Sequence, residues 1–547
     1  MKARWPLLLV GVLTLIAFAL RLHQYGGSLL GDEMSTLWVV RNNGLFDTVR
    51  VVNSDAEITP PLYFLLAWFT TRLGSNPDLV RLPALIAGTA GIPLVYVLGL
   101  RTVGRVPGLI AAALMTLSPF MIFFAGTGRA YALMITLLIA STLSMLAAVR
   151  GGRNLWWVAY ALFSCLAMYS HYTALFVLLA QFIWLLWAEP GVRKQALIAN
   201  VGAALLFLPW VPSFFRDSDS PTTDLLASLQ GDGFETKRLA VEQWAFGHPL
   251  LDPSQVPGRA AVVAVVLALA VAAVASLVRT CREKVEVRVW LGEHKMVILV
   301  IALALATPVA EALYGLTGTD LFGSRNLAAS TPGLLLAIGA VLTAAGPVCG
   351  GVCGVVVFGA FLVGTVKTLE DSSAKPDYKA AAERIDQVRE TNDPVVDLIT
   401  APITPVPLTP LGSYLDDDAQ VFSLNQPAGE PPFLPLTPIP DQDLFLNKAL
   451  AAGETGRVFI VGPRAEVTVG KSGDGKYLEG GNIELPKDWR VDSVESYPGL
   501  ADLNVYEISR TPDYQSADSV GAEAEAEDQL DHPQAEEEGG SEVSGDR

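Results

Sequence analysis

The stretch "PPLYFLLAWFTTRLG", residues 60 to 74, decides how the chain is threaded. It is apolar but short, with Pro60 and Pro61 at its head, whereas a helix rising about 1.5 Å per residue needs about 20 apolar residues to cross a hydrocarbon core. If it crossed, every later loop would change side. Read instead as a helix lying along the outer interface, it makes residues 23 to 76 one outer loop. The basic residues of the short loops then collect on the opposite side, as the positive-inside rule requires: Lys2 and Arg4, Arg101 and Arg105, Arg150 and Arg153, Arg193 and Lys194, and Arg279, Arg282, Lys284, Arg288 and Lys295.

The spans that fit this register are the opening "MKARWPLLLVGVLTLIAFALRL" and segments near 79 to 100, 106 to 124, 131 to 149, 155 to 170, 172 to 188, 196 to 214, 259 to 279, 296 to 313, 327 to 345 and 349 to 366. The opening has a basic start, and its "AFA" is like a cleavage site. With so many spans behind it, it reads as an uncleaved anchor. Composition agrees: the 547 residues are 51% hydrophobic and 17% charged, with mean hydropathy +0.40, and the apolar residues come in long uncharged runs. The fold class expected is a polytopic α-helical membrane protein of about 11 transmembrane helices, residues 1 to 366, followed by a small α/β domain.

That domain is placed at 367 to 510. "KPDYKAAAERIDQVRETNDPVVDLIT" reads as an amphipathic helix and a strand, and "RVFIVG" and "LNVYEISR" as further strands. The ten prolines of residues 401 to 440 suggest an extended surface segment. "GKSGDGKY", residues 470 to 477, has the spacing of a phosphate loop but Tyr477 where Ser or Thr is needed, so it reads as a glycine-rich turn between strands. Residues 511 to 547 hold twelve Asp and Glu against Arg547, so about eleven of the seventeen net negative charges sit in a tail too poor in apolar residues to fold. Of the four cysteines, Cys165, Cys349 and Cys353 fall in apolar spans and Cys281 flanks one. The "VCGGVCG" pattern reads as helix packing by small residues rather than as a metal pair.

The outer loops gather the charges that topology does not require. "SLLGDEMSTLWVV", residues 28 to 40, carries Asp32 and Glu33 just after the first span. "AGTGRAYAL" carries Arg129 and Tyr131, "YSHYT" carries His171, and "YGLTGTDLFGSRNL" carries Asp320 and Arg325, with Glu311 just before it. Arg129 and Arg325 each lie against the start of a span, on the side where the inside rule did not call for them. A charge at bilayer depth costs about 2.5 to 3.5 kcal/mol on insertion scales, which invites a functional reading. Structural readings also exist: Arg129 reaching for headgroups, Arg325 paired with Glu311 or Asp320, His171 as a satisfied helix-end histidine. Trp38, Trp68 and Trp244 read as interface anchors ahead of sugar-stacking groups. Two carboxylates facing two arginines and a histidine at a membrane surface suit a lipid phosphate. Guanidinium groups bind it and a carboxylate takes a proton from an attacking hydroxyl. Together these parts describe group transfer from a polyprenyl phosphate to an alcohol.

In their order, "GDE", "TPPLYFLLAWFTTRLG", "VRLPAL", "SPFMIFFAGTGRAYAL", "YSHYTALFVL" and "SRNLAASTPGLLLA" resemble the integral-membrane glycosyltransferases of the GT-C superfold. The bacterial relatives of protein O-mannosyltransferases and of lipid A aminoarabinose transferases are the nearest. "KPDYKAAAERI" is also like the start of the soluble domain in many members. The resemblance implies Asp32 as the catalytic base with Glu33 assisting, Arg129 and Arg325 on the donor phosphate, and Tyr131 and His171 lining the cavity. It implies an inverting transfer from a polyprenyl-phosphate sugar to a protein, glycan or glycolipid hydroxyl. The setting would be the outer face of an inner or plasma membrane, with the N-terminus cytoplasmic, the C-terminal domain extracytoplasmic, membrane lipids around the spans and no nucleic acid partner. Some relatives carry another aspartate in the second outer loop, and "AGTGRAYAL" has none. That departure weakens the aminoarabinose reading and leaves metal use open, with a divalent cation (Mg or Mn) on Asp32 and Glu33 as one form. Two other classes stay open: a transporter or lipid flippase using the carboxylates as an ion site, and a non-catalytic assembly or sensor protein.

Overall fold

The computed structural model describes residues 5–220, 223, 233–281, 294–316, 320–399, 408–427, 436–453 and 456–511. Its helices, in chain order, are α1 (Trp5–Tyr25), α2 (Asp32–Arg41), α3 (Leu45–Val51), α4 (Leu62–Thr70), α5 (Leu82–Arg101), α6 (Arg105–Leu117), α7 (Pro119–Ala125), α8 (Tyr131–Gly151), α9 (Asn154–Ser170) and α10 (Ala174–Ala188). They continue with α11 (Arg193–Phe207), α12 (Val211–Ser218), α13 (Phe234–Phe246), α14 (Arg259–Cys281), α15 (Lys295–Gly315), α16 (Thr331–Ala344), α17 (Pro347–Thr368), α18 (Tyr378–Val388) and α19 (Gln442–Ala452). Every segment expected to span is helical. Among the described residues eight helices are long and apolar enough to cross a membrane, and α6 with α7 would make a ninth if that bent pair is one span. α9 and α10 have 17 and 15 residues. The chain is thus a polytopic helical membrane protein, and the nine-residue α4, about 13 Å long, is too short to cross.

The expected straight span at 106 to 124 is broken, with a 62° bend between α6 and α7. Pro119 is the cause. It has no N–H, so the Met115 carbonyl one turn earlier loses its helical partner. Arg21, fully buried in α1, supplies a replacement from Nη2 at 3.0 Å, and Thr365 Oγ1 donates to the Leu117 carbonyl at 2.6 Å. Ser118 Oγ then caps α7 by accepting from the Met121 N–H at 3.3 Å. The break delivers the loop 126 to 130, and with it Arg129, to the end of the bundle.

Small and polar residues hold the helices together, as expected where apolar contact alone gives no preference over lipid. A Cβ on Gly333 of α16 would lie 2.4 Å from the Ala304 nitrogen of α15, and one on Gly99 of α5 would lie 2.4 Å from Gly108 Cα of α6. Ser141 of α8, Ser164 of α9 and Gln181 of α10 form a closed buried set with Thr142, at 2.9 to 3.2 Å. Basic groups cluster at one end: Arg150 donates to the Arg101 carbonyl at 2.6 Å and Lys295 to the Ala188 carbonyl at 2.6 Å. Asp32, Arg129, His171 and Arg325 lie at the opposite helix ends.

The C-terminal part is α/β. Its strands are β1 (Val395–Asp397), β2 (Val421–Ser423), β3 (Asn425–Pro427), β4 (Leu436–Pro438), β5 (Arg457–Pro463), β6 (Val467–Val469), β7 (Lys476–Leu478), β8 (Asn482–Leu485), β9 (Trp489–Tyr497) and β10 (Leu503–Arg510), and the main sheet has the order β2-β1-β5-β10-β9. β1 runs parallel to β2 and β5, and β10 antiparallel to β5 and β9. "RVFIVG" is apolar throughout because β5 is central and covered on both faces. Val458 and Ile460 pack toward α19, and Phe459 and Val461 toward α18. The α18 face also takes Leu30 of the first loop into its core.

Some expectations change. The proline-rich stretch is not purely a surface segment: Leu411 and Leu424 are fully buried, and β2 forms a sheet edge. Trp244 is no interface anchor, being buried with its indole N–H on Thr331 Oγ1 at 2.9 Å. Residues 470 to 475 do form a turn between β6 (Val467–Val469) and β7 (Lys476–Leu478). The acidic tail from 512 onward lies outside the described residues.

Candidate active site

α2 begins on Gly31, whose φ of 58° suits glycine, so Asp32 and Glu33 occupy the first helical turn. Successive helical residues diverge by about 100°, and the two carboxylates part accordingly. Glu33 turns into the protein. Its Oε1 accepts from Arg81 Nε at 2.6 Å and from the Gly128 N–H at 2.7 Å. Its Oε2 accepts from Arg81 Nη2 at 2.9 Å and from Lys375 Nζ. Burial pushes the Glu33 carboxyl up, but the Arg81 and Lys375 charges and their hydrogen bonds overcome it and hold it down at about 2.

Asp32 stays half exposed, with 49% of its side chain accessible. Arg129 Nε stands 4.0 Å from its Oδ2 and Arg325 Nη1 stands 3.7 Å from the same atom. Neither distance is a hydrogen bond; both are ion-pair contacts that leave the Asp32 oxygens without a hydrogen-bond donor from either guanidinium. Arg129 is buried and held from behind: Nη1 donates to Glu57 Oε2 at 3.0 Å, Oε1 at 3.2 Å and Thr36 Oγ1 at 3.3 Å. Burial raises the Glu57 carboxyl, opposed by Arg129 and by a hydrogen bond from Ser35. Burial lowers the Arg129 pKa, but Glu57 and Asp32 together drive it upward, so the cation is fixed. Arg325, on the 3-10 turn Ser324–Ser330, has 29% of its side chain accessible and makes no hydrogen bond among the described residues. It pairs with neither Glu311 nor Asp320. Asp320 is engaged by Lys237 at 2.7 Å, and Glu311 is buried in α15.

His171 and Tyr131 form a buried wall with ring centroids 5.1 Å apart. His171 Nδ1 accepts from the Thr173 N–H at 3.3 Å, which assigns the ring proton to Nε2. Burial and the Arg129 and Arg325 charges lower the His171 pKa to about 3, so the ring is neutral at ordinary pH.

The structure therefore brings Asp32, Arg129, Arg325, Tyr131 and His171 to one end of the bundle, with Glu33 on the protein side of the same turn. As partners for a divalent cation, Asp32 and Glu33 point apart and both Glu33 oxygens are occupied by cations. Among the described residues no group of three His, Cys, Asp or Glu could hold a metal ion. Sequence reasoning did not single out Arg81, Glu57 or Lys375. Arg81 had a signal, a charge opening the apolar run "LVRLPAL", but Glu57 and Lys375 sit in polar stretches where a charge is ordinary.

The sequence model of the dolichyl-phosphate-mannose-protein mannosyltransferase family matches residues 59–213. No curated protein matches the chain. Among solved structures, ArnT from Cupriavidus metallidurans bound to undecaprenyl phosphate is similar at 14% identity and TM-score 0.43, over 85% of this chain and 94% of that one. AglB from Archaeoglobus fulgidus, an archaeal oligosaccharyltransferase in complex with an inhibitory peptide and a dolichol-phosphate, is similar at 12% identity and TM-score 0.46, over 84% and 69%. The arabinofuranosyltransferase AftD from Mycobacteria is similar at 16% identity and TM-score 0.41, over 84% and 35%. The likeness to integral-membrane glycosyltransferases read from the residue order is borne out by the family match, and the segment carrying Arg81, Arg129, Tyr131 and His171 has the sequence pattern of a membrane mannosyltransferase family.

Proposed function

We propose that this chain transfers a sugar from a polyprenyl-phosphate carrier to a hydroxyl acceptor, at the outer face of an inner or plasma membrane, with Asp32 as the base. The observation that carries the reading is the half-exposed Asp32 carboxylate standing 3.7 and 4.0 Å from two guanidinium groups at one end of the apolar bundle. The family match supports the donor class. In this reading the N-terminus is cytoplasmic and the C-terminal domain extracytoplasmic, which places the site where a lipid phosphate of the outer leaflet reaches it.

The acceptor oxygen attacks the anomeric carbon as Asp32 takes its proton. The bond from that carbon to the phosphate oxygen breaks, and the electron pair leaves on the lipid phosphate. Arg325, which makes no hydrogen bond among the described residues, and Arg129, anchored by Glu57, stabilise the charge that grows there. The neutral His171 offers an Nε2–H donor without adding charge. A single in-line displacement of this kind inverts the anomeric centre. Glu33, with both oxygens bonded, acts as a support for the turn rather than as a second base.

The test compares wild type with Asp32→Asn in full-length protein of equal folded yield, following release of polyprenyl phosphate from radiolabelled lipid-phosphate sugars with membrane extract as acceptor. The expected result is a fall in turnover of about 10²- to 10⁴-fold with donor binding retained. Equal turnover in the two proteins would remove Asp32 from the chemistry.

A further inference from the structure

The C-terminal domain is fastened to the turn that carries Asp32 at several points. Five residues of that turn and its lead-in make the contacts. Ser28 Oγ accepts from the Lys379 N–H at 3.0 Å and donates to Asp377 Oδ1 at 3.2 Å. The Leu29 N–H donates to Tyr414 Oη at 2.9 Å, and Leu30 packs into the α18 core. Glu33 accepts from Lys375, and Ser413 Oγ touches Met34 Sδ at 3.9 Å. Asp32 alone points the other way. Behind the turn, Asp78 accepts from Tyr414 Oη at 2.9 Å and from Lys379 Nζ at 3.1 Å.

Lys375 is the deepest of these contacts. It lies seven residues beyond the end of α17, has 5% of its side chain accessible, and sits 5.3 Å over the Phe123 ring of α7. It therefore joins three parts: the last span, the broken helix that delivers Arg129, and the first loop. Arg81 already binds Glu33 through two nitrogens, so the second cation is not needed to neutralise one carboxylate. What Lys375 adds is an attachment from the far end of the chain.

We infer that Lys375, with Lys379 and Tyr414 beside it, is a positioning residue through which the C-terminal domain sets the place of Asp32 relative to Arg129 and Arg325. This rests on the proposed reaction only for what the placement serves; the attachment can be tested without it. The groups facing Lys375 are Glu33 from α2, Asp78 and Arg81 from the turn before α5, and His248 from the loop after α13. Burial lowers the Lys375 pKa to about 8, with Glu33 opposing. As pH rises through that value the charge on the Glu33 contact is lost, but the cost of burying an ammonium is lost with it, so raising the pH does not loosen the attachment.

The experiment uses full-length protein in lipid nanodiscs, as wild type, Lys375→Met and Lys375→Arg, with hydrogen exchange of residues 28–34 and transfer kinetics measured on each. The positioning reading expects faster exchange of 28–34 in the Met variant, with residues 131–151 unchanged, and near wild-type exchange in the Arg variant. It expects kcat to fall about 100-fold in the Met variant, with donor KM changed less than about 3-fold, and recovery in the Arg variant. Unchanged exchange at 28–34 in the Met variant, or equal losses in both variants, would overturn it. If exchange responds as expected but wild type transfers no sugar, the attachment stands and the proposed reaction fails.

Discussion

Replacing Glu33 by glutamine should destabilise the protein far more than its conservative size suggests. The side chain is 1% exposed and receives five donors, two of them from Arg81. An amide of the same shape can accept at one atom but must donate at the other, where only donors face it. It also leaves Arg81, wholly buried, without its bidentate counter-ion. Breaking such a buried pair from one side costs about 3 to 5 kcal/mol. The acid behaviour gives a matching figure: a carboxyl held near 2 instead of 4.5 corresponds to about 3 kcal/mol at neutral pH. Because the folded pKa is depressed, that contribution is complete above about 4.5 and is lost as pH falls toward about 2. Lys375 is different. Burial holds its ammonium below the ordinary value, at about 8 against 10.5, so its charge costs stability at neutral pH. That cost sets in as pH falls from about 10.5, is complete below about 8, where folded and unfolded chains both carry the cation, and is relieved as pH rises again toward 10.5.

The assay is the heat-induced change in intrinsic tryptophan fluorescence of the protein in detergent, which reads unfolding at acid as well as neutral pH. Glu33→Gln should lower the midpoint sharply at pH 7 and flatten the acid dependence between pH 4.5 and 2. Lys375→Met should lower the midpoint little or not at all. Adding Arg81→Met to Glu33→Gln should cost less than the two single losses together, with a coupling of about 1 to 3 kcal/mol. A Glu33→Gln midpoint equal to wild type would refute the reasoning, since it would mean the buried cations lose nothing with the carboxylate.

Arg325→Met should leave the unfolding midpoint unchanged, because the side chain makes no hydrogen bond among the described residues. It should raise the donor KM about 10- to 100-fold, the value of one charge-assisted hydrogen bond to a phosphate; an unchanged KM would take Arg325 off the donor. Gly333→Val should abolish or sharply lower the yield of folded protein, since its Cβ would stand 2.4 Å from a backbone nitrogen of α15 and overpacking costs about 1 to 3 kcal/mol or more. Gly351→Val, where nothing lies within 4 Å of the added Cβ, is the matched control for hydropathy and volume.

The sequence makes the membrane architecture legible because the signal is long and one-dimensional. Twenty apolar residues in a row constrain the answer before any contact is known, and the side on which Arg101, Arg150 and Lys295 fall fixes the register. The bend at Pro119 was hidden for a related reason. Hydropathy sums over residues and does not record that a carbonyl has lost its donor, nor that Arg21, 94 residues earlier, supplies one. The proline-rich stretch misled in the opposite sense. Its prolines suit an extended segment, yet Leu411 and Leu424 among them are buried, and composition cannot tell which apolar residues of an irregular stretch find a core.

The site shows the same limit at the scale of two residues. Asp32 and Glu33 look equivalent in "GDEMS", differing by one methylene, and their separation comes from the helix that starts at Gly31. One residue's step around the helix leaves the first carboxylate half exposed beside Arg129 and Arg325 and sends the second into the protein, where Arg81, Gly128 and Lys375 arrive from 48, 95 and 342 residues away. No local rule could announce those partners. In the proposed reaction the division also has a chemical reason. A base must keep an oxygen free to take a proton, and a carboxylate that is free is one that nothing holds. Placing the anchor on the very next residue resolves the conflict: Glu33 takes the hydrogen bonds that fix the turn, and Asp32 inherits the position without them.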